Sequence, residues 1–125
     1  MCIRDRYIEV LSRDEFKDKV TEIRIEGHTN SLSAHRREFE SYMDNMQLSQ
    51  NRTRTTLRYC LNLITFTKNY KWTRDLLTAN GLSYSKPILD DAGKEDTKSS
   101  KRVEFRVRTN AEQKIEEIMK QNLSF

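Results

Sequence analysis

Residues 23–30 read IRIEGHTN, and residues 45–53 answer them with NMQLSQNRT. Ile23 to Glu26 alternate apolar and charged side chains, the period-two pattern of a half-buried strand. The run passes into Gly27, which takes backbone angles other residues resist, and then into His28, Thr29 and Asn30. A strand ending this way delivers polar groups to the edge of a sheet, where ligand sites commonly sit. The segment from Asn45 to Thr53 opens a long helical pattern expected to rise beside that strand end. On a 3.6-residue period Asn45, Ser49 and Arg52 share one flank. The apolar stripe Phe39, Met43, Met46, Thr53, Leu57, Cys60, Leu61 and Ile64 lies about a quarter to a third of a turn away. One flank is thus expected to pack, and its neighbour to present an amide, a hydroxyl and a guanidinium to the strand end.

At 125 residues, the chain is the size of one domain with a single modest core. It is 35% hydrophobic and 34% charged, polar for a compact domain but too well patterned to read as disordered. The formal charge of +4 is a mild excess that says little about partners by itself. No run approaches the roughly 18 apolar residues of a membrane span, and no export signal core is present. Cys2 and Cys60 lack metal or disulfide spacing, and Cys60 reads as a small core residue.

Residues 1–6, MCIRDR, fit no periodicity that follows and resemble a translated adapter remnant. They are set aside as a non-native leader, which leaves 7–125 as the domain. From Tyr7 the pattern is helical, and Ser12 to Glu15 forms a capping box at which the helix is expected to pause and restart. The charged segment between Asn30 and Asn45 reads as an extension of the following helix, predicted from about Ala34 to about Thr65. A second, short helix is predicted over Asn69 to Asn80, stopped by Asn80-Gly81. Leu82 to Leu89, which holds the one proline, reads as an irregular extended segment, and Asp90 to Ser100 as an exposed loop. Lys101 to Arg108 is the clearest strand, with Val103, Phe105 and Val107 facing one way and charged residues the other. Asn110 and Gln113 then cap a last helix whose apolar side is Ile115, Ile118 and Met119.

These residues offer little chemistry. His28 and His35 have no partner at ligand spacing, so no metal is expected, and His28 is expected to be held by hydrogen bonds to backbone. No nucleophile and base can be paired, and three glycines make no phosphate loop, so an enzyme is not expected and no cofactor is implied. Between Asn45 and Arg74 there is no acidic residue, while Arg52, Arg54, Arg58, Lys68, Lys71 and Arg74 interleave with Tyr59, Phe66, Tyr70 and Trp72. Such a stretch can track nucleic acid, although core aromatics and solvated charges are the commoner case.

GHTN at 27–30, N-M-Q-L-S-Q-N-R-T at 45–53 and S-K-R-V-E-F at 100–105 together resemble the OmpA C-terminal family of peptidoglycan-binding domains, shared by OmpA, Pal and MotB-type envelope proteins. The family pattern is a strand ending GHTD, then N-x-x-L-S-x-x-R-A on a helix, then N-R-R-V-E-F on a late strand. The resemblance implies a fold, an α/β (α+β) two-layer sandwich of βαβαβ type with a small mixed sheet and helices on one side. The family's first strand has no room here and is expected to be missing.

The resemblance also implies a ligand, the diaminopimelate-containing stem peptide of peptidoglycan. Its ammonium meets the family's aspartate and its carboxylate meets the family's arginine. The matching positions are Thr29, Asn30, Asn45, Ser49, Arg52 and, less directly, Arg102. Arg52 offers the bidentate fork that a carboxylate takes best. Asn30 stands where the family has its aspartate and carries no charge. The implied loss is about one to two orders in affinity, unless Glu38, Glu40 or another acid from the extension supplies the charge. The function implied is non-covalent anchoring of an envelope protein to the cell wall in the periplasm, with any membrane contact made through an upstream segment. The alternative is a domain that kept the fold as a protein-interaction or homodimerisation module. Nucleic-acid binding through 52–74 explains fewer residues.

Overall fold

The computed structural model describes residues 8–32 and 37–123. The leader assigned to residues 1–6 and the helix start assigned to Ala34 lie outside the described residues. In chain order the elements are α1 (Asp14–Lys17), β1 (Val20–His28), α2 (Glu38–Ile64), α3 (Tyr70–Leu76), β2 (Leu77–Gly81), α4 (Thr97–Ser100), β3 (Arg102–Thr109) and α5 (Ala111–Leu123). Residues 8–11 are also helical, and the chain breaks at Ser12 and Arg13 before α1, at the capping box.

The three strands form a mixed sheet in the order β2-β1-β3. β1 runs parallel to β2, with Ile23 opposite Leu77 and Gly27 opposite Gly81, and antiparallel to β3, with Ile25 opposite Phe105 and His28 opposite Arg102. The strand alternation sorts the side chains onto two faces. Ile23, Ile25 and Leu77 are buried with Ile8, Val20 and Cys60, and Leu57, Leu61, Trp72, Leu76, Phe105 and Val107 pack against them. A register shift between Val20 and Glu22 resets the alternation, so that Val20 shares a core with Ile23 three residues later. Helices α2 and α3 supply the second layer on this face. The molecule is thus a small α+β two-layer sandwich.

Two readings of the sequence need correcting. The segment predicted as one helix over Asn69 to Asn80 is helical only to Leu76, after which Leu77–Gly81 is strand β2. Parallel pairing with β1 satisfies the LTANG backbone, a non-local gain that its helix-like spacing did not reveal. The buried face of α2 is also rotated from the predicted stripe. Ser41, Ser49, Thr53, Thr56 and Cys60 are buried, whereas Phe39 and Met43 are exposed.

Close approach of helix and sheet explains this choice of small side chains. A Cβ on Gly27 would lie 2.6 Å from the Ser49 carbonyl oxygen, and one on Gly81 would lie 2.7 Å from the Gln50 nitrogen. Only a helix surface of Ser and Thr fits against two glycines at that separation.

Candidate functional site

The parallel strands end side by side at Gly27 and Gly81, and the chain segments that follow them are bound to α2. Leu82 N–H donates to Gly27 O at 2.9 Å, and Thr29 N–H to Ser83 O at 2.8 Å. Ser83 N–H donates to Ser49 Oγ at 3.1 Å, and Ser83 Oγ donates to Tyr42 O at 2.8 Å. Ser83 is fully buried with φ of 52°, a left-handed backbone that non-glycine residues rarely hold. Its bonds to β1 and α2 over-determine that conformation. Beside it the rings of Tyr42 and Tyr84 meet edge-to-face at 5.1 Å. Thr29 is buried, and its Oγ1 has no hydrogen-bond partner among the described residues.

A third segment closes over Asn30. Leu89 bridges Glu95, Asp96 caps α4 through Ser99, and Asp96 N–H donates to Ile88 O, so residues 88–100 form a clip rather than a loose loop. The Asn30 Nδ2 donates to Thr97 O at 2.9 Å, and its Oδ1 accepts from Leu32 N–H at 3.3 Å. Ser31 donates its backbone N–H to Glu95 Oε1 at 3.1 Å and its hydroxyl to Glu95 Oε2. Glu95 is half-buried and makes no ion pair among the described residues.

The motif residues therefore fall into three groups. Thr29, Ser49 and Asn30 are joined through Ser83 and the clip, but Ser49 is fully buried and fixes the turn rather than facing outward. Asn45 and Arg52 lie along α2 on either side of Ser49, with the Asn45 Nδ2 donating to Ser41 O. The half-buried Arg52 side chain has no hydrogen bond or ion pair among the described residues.

Arg102 is placed differently, on the sheet face away from α2. Its Nε is 2.5 Å from Glu104 Oε1, and it also donates to Ser100 O and Lys86 O. On that face Arg24, Glu26 and His28 stand opposite Arg106, Glu104 and Arg102. The Arg102 hydrogen bond holds the Glu104 carboxyl below its usual range.

His28 is 1% exposed, and both ring nitrogens lack a hydrogen bond among the described residues, contrary to the backbone bonding expected for it. Ligand atoms of Glu26, His28 and Glu104 lie within 4.8 Å of one another, a grouping the strand register creates and the sequence spacing hides. Arg106 Nε sits 2.8 Å from Glu26, so a cation there would have to displace guanidinium from both carboxylates. Three arginines against two glutamates also leave this face net positive. The ladder reads as a structural network in which both carboxylates are already paired.

The cleft of about 650 Å³ lined by Ser12, Arg13, Lys17 and Asn69 lies at the other end of the sheet, where β1 and β2 begin. In the basic stretch, Trp72 packs against the core and Arg74 pairs with Asp75 over Tyr70, so its aromatics do not form one platform.

The chain is similar to Zorya protein ZorB of Escherichia coli (strain Crooks). The two are 40% identical over 117 residues, which is 93% of this chain and 49% of ZorB. The chain thus spans about half the length of that relative. No family model matches it.

Glu95 and Ser31 escaped sequence reasoning because they are 64 residues apart and neither belongs to a motif. Neither acid named as a substitute beside Asn30 bonds to it, although Tyr84 OH donates to the Glu38 carbonyl at 3.3 Å. Glu40 lies 3.9 Å from Arg37 on the exposed start of α2, and Glu38 is exposed in the same turn.

Proposed function

We propose that this chain is the wall-binding part of a cell-envelope protein, holding the stem peptide of peptidoglycan without covalent chemistry and so anchoring the larger protein. The observation that carries the reading is Arg52, a half-buried residue whose guanidinium has no partner among the described residues. It lies less than one helical turn beyond Ser49, which is tied to the ends of both parallel strands. A guanidinium with no internal carboxylate is free to take an external anion in a bidentate, charge-assisted pair. The carboxylate of a zwitterionic stem peptide is such an anion, and the three motifs in order support that choice. Similarity to ZorB over half its length suits a domain that works as one part of a longer protein. No described helix is long and apolar enough to cross a membrane. The site needs no cofactor, and the proposed activity is binding rather than catalysis.

The purified chain is expected to sediment with diaminopimelate-type sacculi, and Arg52→Ala is expected to abolish sedimentation while leaving the circular dichroism spectrum unchanged. Equal pelleting of folded mutant and parent would remove the site. The interaction-module reading draws on the exposed apolar side of α5 and is favoured if neither protein pellets.

A further inference from the structure

We propose that Glu95 supplies the negative charge of this site and binds the ligand's ammonium group, the role that Asn30 cannot fill. The inference rests on the proposed recognition of a zwitterionic stem peptide and names the residue that reads its cationic end.

Three observations carry it. Glu95 lies against the residue that follows Asn30, because both its oxygens accept from Ser31. Its two partners are uncharged donors, so its full negative charge is unneutralised among the described residues. A carboxylate has about four lone-pair positions, and two neutral hydrogen bonds leave room for an ammonium. Of the other carboxylates, Glu38 and Asp44 are exposed on α2, and those of the sheet and the α4 cap are committed. Glu104 and Glu26 hold arginines, and Asp96 caps α4.

Glu95 is thus an unneutralised carboxylate bonded to the segment that follows β1, and Arg52 an unneutralised guanidinium on α2 three residues beyond Ser49, which bonds the segment that follows β2. That pair of opposite charges suits a zwitterionic ligand whose ammonium and carboxylate are borne by one carbon. Asn30 then has a different task. Its amide N–H holds the clip at Thr97 O, which a carboxylate would repel rather than bind. The neutral residue at this position is thus required by the clip that brings the acid in.

The test is calorimetric titration of the whole chain with a diaminopimelate-containing stem peptide and with the same peptide acetylated on its far amino group. Glu95→Gln removes the charge, keeps an acceptor for the Ser31 N–H and offers an amide N–H from which the Ser31 hydroxyl can accept. It is expected to weaken binding of the free peptide about ten- to a hundredfold, the difference between charged and neutral hydrogen bonds, and to leave the acetylated peptide unchanged. Ser31→Ala loosens the clip but keeps the charge, so it is expected to retain the parent's discrimination between the two peptides. Asn30→Asp is expected to weaken both.

If Glu95→Gln loses both peptides equally, the residue only holds the clip and the proposal falls. If it binds like the parent while Arg52→Ala does not, Glu95 is dismissed and the wall-binding reading stands. If the parent binds neither peptide, both fall.

Discussion

His28 is a buried imidazole whose environment favours the neutral form. Burial lowers its pKa below the ordinary 6.5, and the nearby Arg102 charge lowers it further, against smaller opposing effects of Glu104 and Glu26. The sign of the stability effect follows by linkage. The unfolded chain binds a proton near pH 6.5, while folded His28 binds it only at lower pH. The stability due to neutral His28 is therefore full above 6.5 and is lost as pH falls from there towards the folded pKa. Each unit of depression corresponds to about 1.4 kcal/mol. Glu104, held low by Arg102, also loses its contribution on acidification, but from its ordinary 4.5 downward. The window between pH 6.5 and 5 thus isolates His28. Urea midpoints are expected to fall across that window for the parent and to stay level for His28→Gln. An equal fall in both proteins would show that His28 is not the titrating group. IRIEGHTN revealed His28 as a polar strand end, but not its burial. That burial comes from Arg102 and Glu104, about 75 residues away in sequence and across a register no local pattern specifies.

At the scale of elements, the site depends on how closely α2 lies on the strand ends. An added methyl at Gly27 would meet Ser49 O at 2.6 Å and Thr53 Cγ2 at 2.8 Å, so helix backbone would have to move. Gly27→Ala is expected to cost about 1–3 kcal/mol through overpacking and to displace Ser49 from Ser83. It should therefore impair stem-peptide binding beyond what lost stability explains. At Gly93 nothing lies within 4 Å, although its φ of +79° still disfavours a side chain. Gly93→Ala serves as the control, with a cost of about 1–2 kcal/mol and unchanged affinity. A Gly27→Ala protein that unfolds and binds like the parent would refute the close crossing. Much of this scale was readable. β1, β3 and α5 follow from clean periodicities, and α2 from its length. β2 was not, because LTANG has no alternation and a single β-branched residue, Thr78, and is a strand only by virtue of its partner. The helix face was misread for a related reason. Hydropathy ranks Phe39 and Met43 above Ser49 and Thr53, but the two glycines accept only the small side chains.

For the whole molecule, the sheet has β3 at one edge, and α5 packs little of its surface. Ile115, Ile118 and Met119 are 57%, 56% and 58% exposed. These three side chains recur at helical spacing, so they form one stripe. An exposed apolar stripe on a helix is a surface on which chains associate. Burying the remainder of each side chain would contribute roughly 1 kcal/mol, a few in total before the cost of association. The expected outcome is weak, concentration-dependent self-association of this chain rather than a tight dimer. Sedimentation velocity across a hundredfold concentration range should show the average mass rising. Ile115→Glu with Ile118→Glu should hold the chain as a monomer, since charges on the stripe oppose burial while α5 remains a good helix. The stripe lies on α5, apart from Arg52 and Glu95 on α2 and the clip, so the double variant should retain stem-peptide affinity. Loss of binding together with dimerisation would instead show that the site is completed across two chains. A parent that stays monomeric throughout would show that the edge charges of Arg102, Arg106 and Arg108 already suffice to keep copies apart.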